Sequence, residues 1–145
     1  RKVFPDALQV FVAEKQPAAY WGDSSVLDTQ GEVFTPKSRL LLHLPVLYGA
    51  PDKRHKMLSM FRKLSKDVSS LGLKIEVLRL SAREDWVLRL SNGVWVDLGG
   101  GSIEARWREF IDAFPELSNH QLKMQAVDLR YSGGFAVKWG MAKSV

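Results

Sequence analysis

The spacing of apolar and polar residues divides the chain into short strands, two helices and the turns between them. Apolar side chains occupy both faces of residues 8–15, which predicts a strand covered on two sides. Pro17 is expected to end this strand, because proline has no N–H to donate to a β-ladder. Short strands are also predicted at residues 18–21 and 25–28.

A turn then leads into the apolar pair Val33 and Phe34. Residues 36–51 are predicted to be irregular. A helix is predicted over residues 52–71, because its apolar residues recur at the three-and-four spacing of one helical face. Gly72 follows where a left-handed C-terminal cap belongs. The apolar positions of this helix are 57, 60, 61, 64, 68 and 71.

Three strands are predicted after the first helix. Residues 73–80 and 86–90 are rich in Leu, Ile and Val, and Asn92-Gly93 then predicts the two positive-φ residues of a type I′ hairpin. The third strand covers residues 94–98.

A second helix is predicted to start after Gly99-Gly100-Gly101, with Ser102 as its N-cap and Pro115 as its end. One side of this helix carries apolar residues at 103, 107, 110, 111 and 114.

A second hairpin is predicted at the C-terminal end. Val127, Leu129 and Tyr131 alternate with polar residues, Ser-Gly-Gly follows, and residues 135–139 form the last strand. The order is strands, helix, three strands, helix and two strands. It predicts an α+β fold with a largely antiparallel sheet and two main helices, not a doubly wound parallel fold.

Composition limits the classes of protein that the chain can belong to. The 145 residues suit one domain, and 46% hydrophobic with 26% charged residues is typical of an ordinary folded chain. The absence of cysteine excludes thiolate metal sites, cysteine nucleophiles and redox pairs. The most apolar stretch, residues 40–50, is too short to span a bilayer. The first residues lack a signal-peptide pattern and are expected to continue a longer protein.

No catalytic or cofactor chemistry is predicted. The three glycines lack the Lys-Ser/Thr of a P-loop and the G-x-G-x-x-G spacing of a dinucleotide site. His43, His55 and His120 lie far apart and do not have the spacing of a metal site. Glu84 and Asp85 are interpreted as a solvated loop.

The first helix carries a basic face opposite its apolar stripe. The chain as a whole has a formal net charge of +5. Such a face could bind an anionic polymer or a lipid surface, although simple solvation of an amphipathic helix is the commoner explanation. The helix lacks a nucleic-acid reader motif, so nucleic acid is not expected as a partner. The cations are Lys53, Arg54, Lys56, Arg62, Lys63 and Lys66.

The last predicted strand has two interpretations. A chain-terminal strand often lies at a sheet edge, where its free N–H and C=O groups can accept a strand of another chain. Tyr131, Phe135 and Trp139 could then be partner anchors, or they could simply cover the end of the domain. The residues themselves leave both possibilities open.

Three stretches of sequence together resemble the FtsQ family of bacterial cell-division proteins, called DivIB in Gram-positive bacteria. They are residues 4–21 with Val-Ala-Glu-Lys-Gln-Pro-Ala-Ala-Tyr-Trp, residues 44–49 with Leu-Pro-Val-Leu-Tyr-Gly, and residues 127–139 with Val-Asp-Leu-Arg-Tyr and Trp. Residues 28–34, 90–94 and 98–99 support the match in the family's order.

The resemblance implies an architecture of a cytoplasmic tail, one membrane helix, a POTRA domain and a β-domain. Residues 1–16 would be the end of the POTRA domain and residues 17–145 the β-domain. The chain would then be the periplasmic part of a single-pass inner-membrane protein at the division septum.

The family's function implies a non-enzymatic scaffold that binds FtsB and FtsL, with no cofactor, metal, small-molecule substrate or nucleic acid. The family's β-domain captures an FtsB segment through its last strands. The corresponding positions here are Arg130, Tyr131, Gly133, Gly134, Phe135, Ala136 and Trp139. Tyr131 and Trp139 are expected to form a pocket for an apolar partner side chain, and the two glycines to allow close backbone approach.

One position departs from the family. Some relatives have an arginine that pairs with a partner acid just before the W-x-L-x-L strand, and Glu84 occupies that place here. Either the adjacent Arg83 substitutes for it, or the ion pair is lost or reversed. The resemblance therefore assigns Arg83 and Glu84 to the partner site without settling their roles.

Overall fold

The computed structural model describes residues 16–35, 43–131 and 133–142. Residues 141 and 142 are described by their backbone alone. The strand predicted over residues 8–15 lies outside the described residues. The nine strands of the described residues form one sheet with the order β3-β2-β1-β4-β5-β6-β7-β8-β9. The strands are β1 (Pro17–Trp21), β2 (Ser25–Asp28), β3 (Val33–Phe34), β4 (Val46–Tyr48), β5 (Ile75–Leu80), β6 (Trp86–Leu90), β7 (Trp95–Gly99), β8 (Leu122–Asp128) and β9 (Ala136–Ala142).

Antiparallel pairing dominates the sheet, as predicted for an α+β fold. Strands β1–β2, β2–β3, β5–β6, β6–β7 and β8–β9 pair antiparallel. Strands β1–β4, β4–β5 and β7–β8 pair parallel, each across a longer connection.

Two helices cover one face of this sheet. A 3-10 turn (Pro51–Lys53) leads into α1 (Arg54–Ser69), and α2 (Glu104–Ser118) follows β7. Their buried residues share one hydrophobic core with the inward side chains of the sheet. The core includes Met57, Leu64 and Val68 of α1, Trp107, Phe110 and Phe114 of α2, and Leu47, Leu78, Leu88, Val96 and Val127 of the sheet.

No helix of the described residues covers the other face of the sheet, which carries polar and half-buried side chains. Arg79, for example, lies over the ring of Trp95, with 5.1 Å from its guanidinium carbon to the ring centroid. The structure is therefore a two-layer arrangement of helices on a sheet, with one sheet face toward solvent.

The first helix ends as predicted. Gly72 has φ of +77°. Its N–H donates to the Ser69 carbonyl (3.0 Å), and the Leu73 N–H donates to the Val68 carbonyl (3.1 Å). This pair of bonds is the Schellman pattern that a left-handed residue makes possible.

The prediction that residues 36–51 are irregular was wrong for β4. Leu47 is fully buried, and β4 pairs parallel with both β1 and β5. A three-residue strand between parallel neighbours shows no alternation, so periodicity alone could not reveal it.

The hairpin between β6 and β7 was predicted correctly, but its turn type was wrong. Gly93 has φ of +89°, whereas Asn92 is not among the positive-φ residues. The Gly93 N–H donates to the Leu90 carbonyl (2.9 Å), and the Leu90 N–H donates to the Val94 carbonyl (2.9 Å). The turn is therefore a type I turn followed by a glycine bulge, the usual three-residue alternative to type I′.

The predicted ends of α2 were also wrong. Ile103 takes the N-cap position, and the Ser102 hydroxyl donates to the Glu104 carboxylate (3.0 Å) instead of capping the backbone. The helix continues past Pro115 to Ser118. A proline disturbs only the turn before it, and Leu117 packs against the core and holds the last turn.

Candidate functional site at the C-terminal sheet edge

Strand β9 is the last strand of the sheet, and among the described residues only β8 pairs with it. The predicted C-terminal hairpin is therefore present, although β8 begins at Leu122, earlier than predicted. Its register shifts twice, between Leu122 and Met124 and between Met124 and Ala126. The outer N–H and C=O groups of β9 face away from the sheet.

The turn from β8 to β9 presents Tyr131 to solvent. At 58% exposure, Tyr131 is the most exposed of the large hydrophobic side chains in the described chain. Gly133 has φ of +75°, and a Cβ added at Gly133 or Gly134 would meet no atom within 4 Å. The turn thus leaves open space beside a protruding aromatic ring.

A groove of about 360 Å³ lies between this turn and α2. Tyr131 and Phe135 line one side, and Ala105, Arg106 and Glu109 of α2 line the other. The Phe135 ring meets the buried Phe110 ring edge-on, with 6.1 Å between centroids. The floor of the groove is therefore fixed to the core.

The wall formed by α2 is also rigid. The Arg106 guanidinium donates to the Leu98 carbonyl (2.9 Å) and to the Gly100 carbonyl (2.7 Å). Both carbonyls belong to the end of β7 and its following turn, so Arg106 fixes α2 against the sheet end. The sequence prediction missed this wall, because a mid-helix arginine gave no signal that distinguished it from a solvated residue.

Trp139 does not line this groove, so the pocket that was predicted between Tyr131 and Trp139 stays a prediction. The Trp139 ring stacks on His120, with 4.1 Å between centroids and 22° between planes. Its register partner on β8 is Met124. Trp139 is three residues along β9 from Ala136 and about 10 Å from the turn, at ~3.3 Å per residue.

The Arg130 guanidinium is paired within the chain. Its Nη2 donates to Asp128 Oδ2 (2.7 Å) and its Nε to Asp128 Oδ1 (2.9 Å), while Nε lies 3.6 Å from Asp97 Oδ2. Hydrogen bonds from Arg130 hold the pKa of Asp128 below its usual value, and Asp128 in turn raises the pKa of Arg130. Asp97 and Asp128 are direct register partners, so Arg130 offsets the repulsion between two neighbouring carboxylates.

Glu84 and Arg83 lie in the turn between β5 and β6. Glu84 has φ of +62° and forms ion pairs with Lys56 and Lys53 of the α1 start. The hydrogen bond from Lys56 is the main reason that the pKa of Glu84 is lowered. Arg83 is exposed, and none of the salt bridges among the described residues includes it.

Close glycine contacts connect this turn to Arg130. A Cβ at Gly100 would lie 2.7 Å from Asp85 Oδ1, and a Cβ at Gly99 would lie 2.8 Å from Cγ of Arg130. Neither position could accept a side chain without displacement. The end of β7 therefore lies between the two turns.

The structure thus places most of the predicted site residues at one end of the sheet. Trp139 is the exception, and it lies further along the same edge strand. The residues at the shared end are Arg83, Glu84, Arg130, Tyr131, Gly133, Gly134 and Phe135.

The basic face of α1 is largely used within the molecule. Arg54 Nε donates to the Gly31 carbonyl (3.0 Å), and Arg62 Nη2 donates to the Thr29 carbonyl (2.5 Å). Lys53 and Lys56 pair with Glu84, as described above. Four of the six predicted cations therefore connect α1 to neighbouring turns.

No group of three His, Cys, Asp or Glu side chains that could hold a metal ion occurs in the described ranges. Neither helix of the described chain has the length and apolar character that crossing a membrane requires.

Comparison with known proteins identifies the family. Residues 19–130 match the family model for the C-terminal domain of the cell division protein FtsQ/DivIB. The cell division protein FtsQ of Shewanella oneidensis is 36% identical over 145 residues, covering 99% of this chain and 55% of that protein. The FtsQ of Xanthomonas campestris pv. campestris is 36% identical over 139 residues, covering 95% of this chain and 50% of that protein.

The FtsQ of Escherichia coli K12 is 30% identical over 145 residues, covering 96% of this chain and 52% of that protein. The chain spans about half the length of these relatives. The family model ends at Arg130, whereas the alignments to relatives extend over nearly the whole chain. The chain belongs to the FtsQ/DivIB family of cell-division proteins.

Proposed function

We propose that this chain is the partner-docking module of a non-enzymatic division scaffold, and that it binds FtsB, together with FtsL, by adding an FtsB strand to β9. In this proposal residues 17–145 form the β-domain and residues 1–16 end a POTRA domain. The whole protein is anchored in the inner membrane by one helix, with this part in the periplasm at the septum. Membership of the FtsQ/DivIB family supports the role in division.

The observation that carries the proposal is the open edge of β9 beside the Tyr131 groove. Among the described residues, β9 has seven residues and pairs on one side only. An extended segment placed along that edge gains main-chain hydrogen bonds, and its side chains alternate between the two sheet faces. Those on the helix-covered face point toward the groove.

Tyr131 is the natural anchor for an apolar partner side chain. Its ring is exposed in the free chain and forms one wall of a groove with a fixed floor, so docking buries apolar area without rearranging the core. A partner segment that becomes ordered on binding loses conformational entropy, so a few anchors must supply much of the affinity.

In this proposal, Arg83 provides the positive charge that faces the partner at this end of the sheet. Glu84 is neutralised by two lysines, and Arg130 is engaged by Asp128, whereas Arg83 has no ion pair in the described chain. Arg83 can therefore take the place of the arginine that some relatives have one position later. Arg130 contributes by fixing the turn that presents Tyr131.

The alternative function, binding of an anionic polymer or lipid surface by the first helix, has less support. Most of the cations on that helix are already bound to carbonyls or to Glu84. Electrostatic binding to a polyanion depends on cations that are free to replace counterions.

Titration calorimetry with a peptide of the FtsB tail tests the proposal. Tyr131→Ala is expected to weaken binding by more than about 2 kcal/mol, as truncation of an interface anchor does, and to change the free energy of unfolding by less than about 0.5 kcal/mol. Val33→Ala is the matched control, because Val33 is an exposed apolar residue at the opposite edge of the sheet. Unchanged affinity of Tyr131→Ala would remove Tyr131 from the site. In an NMR titration with the same peptide, amide shifts confined to β3 would show that the partner binds at the edge opposite β9, which would contradict the proposal.

A further inference from the structure

Lys138 carries the only charge in the sequence of β9. It is exposed and pairs in register with Ala126 of β8. Because Val127 and Val137 point to the helix-covered face, Lys138 and Ala126 point to the open face. None of the salt bridges among the described residues includes Lys138.

The residues around Lys138 on the open face do not neutralise it. Ala126 and Ala136 are small and uncharged, and they border a hollow of about 460 Å³ that Trp95 also lines. Two carboxylates, Asp97 and Asp128, also line this hollow, but Arg130 pairs with both of them, at 3.6 Å to Asp97 Oδ2 and 2.7 Å to Asp128 Oδ2. The ammonium group of Lys138 therefore stands unpaired at the edge where another strand would add.

We propose that Lys138 selects the strand that pairs with β9. It favours a foreign strand that carries a carboxylate opposite it on the open face, and it prevents β9 from pairing with a second copy of itself. The first half rests on the proposed function, since it assumes that a partner strand adds to β9. The second half depends only on the geometry of the edge.

The exclusion of a second copy follows from symmetry. Two identical edge strands that continue one sheet pair antiparallel about a two-fold axis, which brings equivalent residues of the two copies together. With the axis at Lys138, the two lysines are directly opposite, at about 4.5–5.5 Å between Cβ atoms. With the axis one residue away they are diagonal neighbours at ~7–8 Å, still within the screening length of about 8 Å at physiological salt.

Every register of self-pairing whose two-fold axis lies at Lys138 or one residue away therefore places two like charges side by side. A lysine in an edge strand is a recognised protection against such pairing. The net charge of +5 on each copy adds to the repulsion. A heterologous strand with Asp or Glu at the same place converts this repulsion into a cross-strand ion pair.

Sedimentation equilibrium of the 145-residue chain tests the exclusion of self-pairing. The wild type and Lys138→Glu are each expected to remain monomeric, whereas their equimolar mixture should associate about tenfold or more tightly than either alone, because Lys138 then faces a glutamate. Lys138→Thr should self-associate more tightly than the wild type, because threonine removes the repulsion and favours strands.

Lys66→Glu is the control for net charge, because Lys66 is an exposed residue on α1 in the other layer. A mixture of wild type and Lys66→Glu should associate no more tightly than the wild type alone. The exclusion role of Lys138 would be overturned if the four samples associated equally tightly, or if none of them associated. The four samples are the wild type, Lys138→Glu, Lys138→Thr and the mixture of wild type with Lys138→Glu.

Calorimetry with the FtsB tail peptide tests the preference for a carboxylate. Lys138→Glu should bind the peptide about fivefold to tenfold more weakly than the wild type, whereas Lys138→Arg should retain the affinity. Equal affinity of Lys138→Glu and the wild type would overturn the preference and leave the proposed function intact. If the peptide failed to bind the wild type, the proposed function would fail, and the sedimentation result would still decide the exclusion of self-pairing.

Discussion

The two edges of the sheet differ in length and in how their turns are held. The β3 edge has two residues, Val33 and Phe34, whereas the β9 edge has seven. A very short edge strand offers few free backbone groups to a foreign strand, and a long one offers many. In the described chain only the β9 edge is long enough to accept a partner strand.

An aspartate at the end of a strand holds the turn at each edge, but the surroundings differ. Asp28 of β2 is buried and accepts the N–H groups of Gln30 (2.8 Å) and Glu32 (2.9 Å). Asp128 of β8 is partly exposed and accepts from Arg130.

Contacts to α1 strengthen the first turn. Glu32 Oε2 lies 3.0 Å from His55 Nε2, and Arg62 binds the Thr29 carbonyl. The second turn instead leaves Tyr131 more than half exposed. One edge is therefore locked to a helix, whereas the other presents an aromatic side chain.

The largest effect is expected where the β9 edge joins the core. Phe110 is fully buried and contacts the rings of Trp107, Phe114 and Phe135. Phe110→Ala should lower the free energy of unfolding by about 3–5 kcal/mol, because it removes transfer energy and leaves a cavity. Urea unfolding measures this change.

Hydrogen exchange of the same variant sharpens the comparison of edges. Amide protection should fall more in β9 than in β2, because Phe135 precedes β9 and rests on Phe110. Phe110→Leu is the conservative control, with an expected loss of about 1–1.5 kcal/mol. Equal loss of protection at both edges would contradict a specific link from Phe110 to β9.

A matched truncation at each edge should have the next largest effect. Trp139→Ala is expected to lower the free energy of unfolding by about 2 kcal/mol, less than the loss of a fully buried tryptophan, because Trp139 is only partly buried against the core. Phe34→Ala on β3 is expected to lower it by about 1 kcal/mol, because β3 has only one neighbour and two residues.

The stacking partner of Trp139 gives a further control. His120→Ala removes the ring on which Trp139 stacks, so its effect should combine with that of Trp139→Ala non-additively in a double-mutant cycle. Additive free energies of unfolding would show that the stack contributes nothing measurable.

Local sequence patterns were sufficient for the elements that alternate or repeat. β6 was predicted at its observed bounds, and α1 was recognised by its apolar stripe and by Gly72. These signals come from side-chain periodicity and from the backbone freedom of glycine, both of which are properties of the local chain.

The errors arose where tertiary contacts outweigh local preference. β4 exists because two parallel neighbours enclose Leu47, and the last turn of α2 persists because Leu117 packs on the core. No local pattern contains either fact.

The candidate site shows the same division between local and tertiary information. The edge position of the last strand agrees with the sequence reasoning, which left open whether Tyr131 is a partner anchor or covers the end of the domain. The pairing of Trp139 with His120 and of Arg130 with Asp97 joins residues that are distant along the chain. Only the fold brings such residues together.

Arg83 and Glu84 provide a smaller test of the charge at the β9 end. Arg83→Ala should weaken binding of the FtsB tail peptide about threefold to fivefold, which is the size of an exposed charge contact, and the loss should shrink at high salt. Glu84→Ala should leave the affinity unchanged, because Glu84 is already paired with Lys53 and Lys56. The reverse ranking in calorimetry would show that Glu84, not Arg83, faces the partner.

The smallest effect is expected from the carboxylate that holds the β8–β9 turn. The pKa of Asp128 is lowered in the folded chain by hydrogen bonds from Arg130, so its stabilising contribution is present above the unfolded pKa of about 3.9 and is lost as pH falls through the folded pKa. Asp128→Asn should therefore lower the free energy of unfolding at pH 7 by at most about 0.5 kcal/mol, because the Arg130 side chain is 60% exposed and solvent screens the pair. The difference from the wild type should vanish in urea titrations below both pKa values. Asp112→Asn, at an exposed position on α2, is the matched control and should leave the curve nearly unchanged. If the destabilisation by Asp128→Asn instead increased toward low pH, the prediction would be wrong, and Arg130 would not stabilise the ionised form of Asp128.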